Sequence, residues 1–68
     1  MDRVKVGDKI CVKRFTFEVA EIISQDVWTD WENGEESKIP TYYLEFFDPK
    51  GGYHYWKSNI DGGYIIRA

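Results

Sequence analysis

A single cysteine, Cys11, excludes any intramolecular disulfide, and a single histidine, His54, excludes the Cys/His sets that hold structural zinc. A chain of 68 residues without such staples must be held together by core packing or by a partner subunit. No apolar run approaches the length that spans a bilayer. The opening MDRVKVGDK has no apolar centre of the kind a signal peptide needs. The expectation is a cytoplasmic protein with a reduced thiol and no membrane segment. Linkers, repeats and low-complexity stretches are also missing, so residues 1–68 read as one domain.

Basic charge is scarce in the middle of the chain. Residues 1–23 hold five Lys/Arg against four Asp/Glu, and residues 51–68 hold two against one. Residues 24–50 hold seven acids against only Lys38 and Lys50. A nucleic-acid surface usually shows the reverse, a basic stripe that neutralises phosphates. Nucleic acid is therefore a disfavoured partner.

Aromatic residues are plentiful by contrast. Phe, Tyr and Trp make up 18% of the chain and crowd between Tyr42 and Tyr64. A domain of this size buries only roughly 60% of the surface its unfolded chain exposes. Some rings must stay partly exposed, and exposed aromatic clusters tend to be used for contact.

The residue periodicity is that of strands rather than helices. After the Gly7-Asp8 turn signal, Ile10 and Val12 alternate with Lys9, Cys11 and Lys13, giving a first strand over about 9–13. Lys13-Arg14 makes a tight reversal without the usual hairpin-turn chemistry. Phe15 to Gln25 reads as a second strand whose phase slips near Ala20–Ile23, which a β-bulge or bend would explain. Residues 26–40 keep neither period and read as a long loop, or as an irregular hairpin turning at Asn33-Gly34. TYYLEFF (41–47) and YHYWK (53–57) are strong strands joined by Asp48–Gly52, where proline presets φ and glycine accepts positive φ. SNIDGG holds one helical turn over about 58–61, and YIIR (64–67) closes the chain. The fold class is all-β.

This order of elements resembles a five-stranded SH3-like small barrel. The resemblance rests on VGDKI followed by FEVAEI as a first hairpin, on the Asp48–Gly52 turn between two aromatic strands, and on WKSNIDGGYII as a helical turn before the last strand. It is a likeness of fold, and the peptide-binding ALYDY-type motif of signalling SH3 domains is absent. Such barrels serve proline-rich peptides, nucleic acids and protein assembly alike, so the fold does not select a function.

Hairpin register decides which rings point outward. If Asp48–Gly52 is the whole loop, Tyr42, Leu44, Phe46, His54 and Trp56 share one face. Tyr43, Glu45, Phe47, Tyr53, Tyr55 and Lys57 share the other. If one glycine forms a bulge instead, the returning strand flips, and Tyr53, Tyr55 and Lys57 join Leu44 inside. The first register is preferred because it buries Trp56 and keeps Lys57 out of the core. The candidate contact residues are then Tyr43, Phe47, Tyr53 and Tyr55. Trp28 and Trp31 join them, set among Asp26, Asp30, Glu32, Glu35 and Glu36. The plain structural alternative is that the tyrosines only stabilise the sheet by cross-strand pairing, while the tryptophans cap a barrel end.

No catalytic group, metal site or cofactor is expected. Asp26, Asp30 and Glu32 lack the spacing of a calcium loop. Cys11 reads as a half-buried inert thiol, and nothing brings His54 to it. The leading expectation is a non-enzymatic interaction module for a protein partner or a second copy of itself. Two alternatives are single-stranded nucleic-acid binding by stacking, and an acidic loop that imitates phosphates in another protein's basic groove.

Overall fold

The computed structural model describes residues 2–68 and holds eight strands, most of them built on alternating inward and outward residues. They are β1 (Lys9–Val12), β2 (Phe15–Glu18), β3 (Glu21–Trp28), β4 (Trp31–Glu32), β5 (Glu35–Glu36), β6 (Thr41–Phe47), β7 (Tyr53–Lys57) and β8 (Tyr64–Ile66). One helical turn, α1 (Ser58–Asp61), links β7 to β8. All pairings are antiparallel, in three sheets of order β2-β1-β8, β3-β6-β7 and β4-β5. The class is all-β, but the expected five-stranded closed barrel is not what forms. The long second strand breaks at Val19–Ala20 into β2 and β3, one in each main sheet. Among the described residues β2 and β7 pair on one side only. Side chains rather than ladder hydrogen bonds close the gap between them: the Phe17 and His54 rings lie 4.4 Å apart.

The β3–β6 register slips between Ile22 and Ser24. A bulge at Ile23 therefore accounts for the run of apolar residues that blurs the period there. Of the two readings for 26–40, the hairpin at Asn33-Gly34 is the one that forms, and the uninterrupted loop is corrected at its start. Asp26–Trp28 continue β3 against Tyr43–Thr41, and β4 and β5 form a small hairpin turning at Asn33-Gly34, with φ of 52° and 79°. In the β1–β2 turn Lys13 adopts φ of 56°. Pairing of the two flanking strands outweighs the local cost of that conformation.

The core is the cluster Val4, Ile10, Val19, Leu44, Phe46 and Trp56, with Val12, Phe17, Ile22, Tyr42 and Ile65 packed against it. Cys11 is fully buried, not half-buried, and its Sγ lies 3.6 Å from Thr16 Oγ1. Trp56 Nε1 donates to the Gly62 carbonyl at 2.8 Å, satisfying the one polar atom this ring takes into the core.

Two polar devices tie the chain ends to this core. The Gln25 amide accepts from Val4 N at 2.9 Å and donates to Val4 O at 3.0 Å, standing in for a strand partner. Asp8, 3% exposed, accepts from Lys5 N and Ala68 N, each at 2.9 Å, and from Arg67 Nη1 at 3.4 Å. Burial pushes the Asp8 carboxyl up. The two amides and the guanidinium outweigh that effect, and it sits below its ordinary value.

Candidate functional site

Period-two alternation along β6 and β7 sends one set of rings into the core and leaves the other on the outer face. Tyr43 lies opposite Lys57, Glu45 opposite Tyr55 and Phe47 opposite Tyr53, which is the register expected when Asp48–Gly52 forms the whole loop. That loop is locked by Asp48, whose Oδ1 accepts from the amides of Lys50 and Gly52, each at 2.9 Å. Its Oδ2 lies 2.7 Å from His54 Nε2. The His54 contact and the two amides hold the Asp48 carboxyl below its ordinary value. β3 extends the same face, since Asp26 pairs with Tyr43 and Glu21 with Phe47.

The outer rings are arranged around one carboxylate. Tyr43 and Tyr53 each donate a hydroxyl hydrogen to Glu45, one to each oxygen. The Tyr43 and Tyr55 rings meet edge to face at 5.4 Å and 80°, and Phe47 and Tyr53 at 6.1 Å and 70°. The two hydroxyls hold the Glu45 carboxyl below its ordinary value. The same hydrogen bond pushes Tyr43 up to about 12. Tyr53 and Tyr55 are each 53% exposed. Tyr43, Glu45 and Phe47 are partly covered by their neighbours.

Trp28 belongs to this face too. It pairs with Thr41 across the sheet, and its ring lies 5.8 Å below the Lys57 ammonium. Asp30 fixes it there by accepting from Trp28 Nε1 and Thr41 Oγ1, both at 2.9 Å. Five of the six expected aromatic residues therefore lie on one sheet face. Trp31 does not join them, because it sits on the separate β4–β5 hairpin and is 72% exposed.

The expected acidic group is likewise divided. Asp26 borders Tyr43, and Asp30 serves as a hinge post for Trp28. Glu36 accepts from the Thr29 hydroxyl. Glu32 and Glu35 face one another across the hairpin, a like-charge pair that weakens it.

Sequence reasoning missed the Asp8 clasp, whose partners come from both chain ends and leave no local signal. It also missed an apolar groove of about 480 Å³ between β2 and β7, lined in part by Phe15, Phe17, His54, Tyr55 and Ile60. Cys11 and His54 are each committed elsewhere, to Thr16 and Asp48. Among the described residues no group of three His, Cys, Asp or Glu is placed to hold a metal ion. No helix among them is long and apolar enough to cross a membrane. Comparison with known protein families, curated proteins and solved structures finds no match.

Proposed function

We propose that this chain is a small, non-enzymatic protein-interaction module related to SH3-like barrels, and that a protein partner docks on the outer face of β3, β6 and β7. The observation that carries the reading is the contiguity of Trp28, Tyr43, Phe47, Tyr53 and Tyr55 on one face. Tyr and Trp are favoured interface anchors because they cover much area with few rotatable bonds. The hydrogen bonds to Glu45 restrain Tyr43 and Tyr53 before any partner arrives, which lowers the ordering cost of binding. Kinship with SH3-like barrels draws support from the helical turn before the last strand and from the pairing of that strand with β1.

Charge selects among partners. The face carries Glu21, Asp26 and Glu45 against Lys57 alone. A symmetric dimer through this face would oppose the same acids to themselves, so a different, basic protein suits it better than a second copy. Bases stacked on these tyrosines would bring phosphates against the same carboxylates, which counts against nucleic acid.

A tagged copy purified from its producing cell should retain a partner that is lost when Phe47→Ser and Tyr55→Ser are combined, with the folded amide spectrum preserved. Light scattering should give the monomer mass at high concentration. Retention of the partner in that double variant would sink the proposal.

A further inference from the structure

The hydrogen-bond directions around Glu45 narrow the partner chemistry further. A carboxylate has about four acceptor positions and no donor when ionised. Two are taken by the Tyr43 and Tyr53 hydroxyls. Because both hydroxyl hydrogens point at Glu45, both phenol oxygens turn only lone pairs toward solvent. The Tyr55 ring stands beside them, nearly perpendicular to that of Tyr43, at 5.4 Å and 80°.

The centre of the face therefore keeps free acceptor positions on Glu45 and on the two phenol oxygens, beside aromatic rings, and among the described residues only the Tyr43 and Tyr53 hydroxyls donate to Glu45. Ion pairs among the described residues join Asp48 to His54 and Asp8 to Arg67, and none reaches Glu45. Lys57, which shares this face, lies over Trp28 instead. Glu45 thus keeps an anionic charge that no cation among the described residues pairs with, beside two half-exposed rings.

We infer that Glu45 with Tyr43, Tyr53 and Tyr55 is a receptor for an arginine side chain of the protein partner. A guanidinium is a pure donor with five N–H groups in a rigid planar fork. It can engage a carboxylate and flanking oxygens at once while its plane stacks on an aromatic ring. A lysine ammonium offers a point charge with no plane to stack. The inference deepens the proposed docking face and rests on it.

The test uses N-acetyl-arginine methylamide as the probe, with the lysine and citrulline analogues as controls, followed by amide and tyrosine-ring chemical shifts of the intact protein. Expected are saturable shifts at Tyr43, Glu45, Tyr53 and Tyr55, with a dissociation constant in the millimolar range for so small a ligand. The citrulline analogue keeps the shape and loses the charge, so it should bind at least about tenfold more weakly. Glu45→Gln should cost a similar factor. Equal binding of the citrulline or lysine analogue, or shifts centred away from these residues, would overturn the receptor. So would a captured partner that is lost in the Tyr55 variant yet unaffected by Glu45→Gln, an outcome that leaves the docking face itself standing.

Discussion

Truncating Leu44 to alanine should remove a large part of the stability this domain possesses, whereas truncating Tyr55, opposite the next residue of β6, should not. Leu44 is 0% exposed and packs within the central cluster. Leucine-to-alanine changes at such sites cost roughly 2–5 kcal/mol, because the cavity closes only in part. At about 0.05–0.15 kcal/mol per residue, a chain of this length holds about 3–10 kcal/mol in total. A loss of about 3 kcal/mol corresponds to a melting point lower by about 12–24 °C in a domain of this size. Tyr55 is 53% exposed and its main partner is one edge-to-face ring. Its removal should cost at most about 1 kcal/mol, the scale of a single cross-strand pair and about a third of that loss. Urea unfolding followed by tryptophan fluorescence measures both, with unchanged slope showing that the unfolded reference is the same. If Tyr55→Ala destabilises as much as Leu44→Ala, the wrong face has been assigned to the core and the register argument fails.

Gly63→Ala should be far more damaging than Gly51→Ala in thermal melts. A Cβ at Gly63 would lie 2.1 Å from the Cys11 carbonyl oxygen with φ at +89°, while Gly51 faces open space and carries only the positive φ. Equal melting points for the two variants would contradict that close approach. Acid should loosen the structure through Asp8, Glu45 and Asp48, whose folded pKa values all lie below their ordinary ones. Their stabilisation is present above the ordinary carboxylate range near about 4 and is lost as pH falls through each folded value. Asp8→Asn should therefore flatten part of the acid limb of the stability curve, and an unchanged limb would remove Asp8 from the account. Spectrophotometric titration should find Tyr43 ionising at about 12, returning toward 10.0 in Glu45→Gln because the hydrogen bond to Glu45 is the main cause of the shift. No change in that variant would show that the bond does not form in solution.

Legibility in the sequence followed the range of the interaction concerned. TYYLEFF and YHYWK are readable to the residue because alternation and turn chemistry are local, while the 48–52 turn allows two registers, of which the one preferred for burying Trp56 and not Lys57 forms. The bulge near Ile23 was visible as a break in phase. Residues 26–40 misled because β3 gains its last three residues from pairing with Thr41–Tyr43, and a pairing so far along the chain has no local signature. The closed barrel failed as an expectation for a related reason. Whether β2 and β7 pair depends on the twist between two sheets, and here the two edges stay unpaired while the Phe17 and His54 rings meet at 4.4 Å.

The sequence by itself determined an all-β chain and two alternating sets of rings on β6 and β7, both of which follow from a side-chain period of two. It also determined the absence of disulfide and zinc staples, through one cysteine and one histidine. The structure decided between the two hairpin registers and so fixed which set points outward. Only the tertiary structure decided that Trp28 joins that set while Trp31 stands apart, since Asp30 anchors one ring and the β4–β5 hairpin carries the other away. It alone decided that two hydroxyls turn onto Glu45, because hydrogen-bond direction depends on where three side chains meet. An aromatic count could not supply that convergence, and it is what gives the surface its acceptor character.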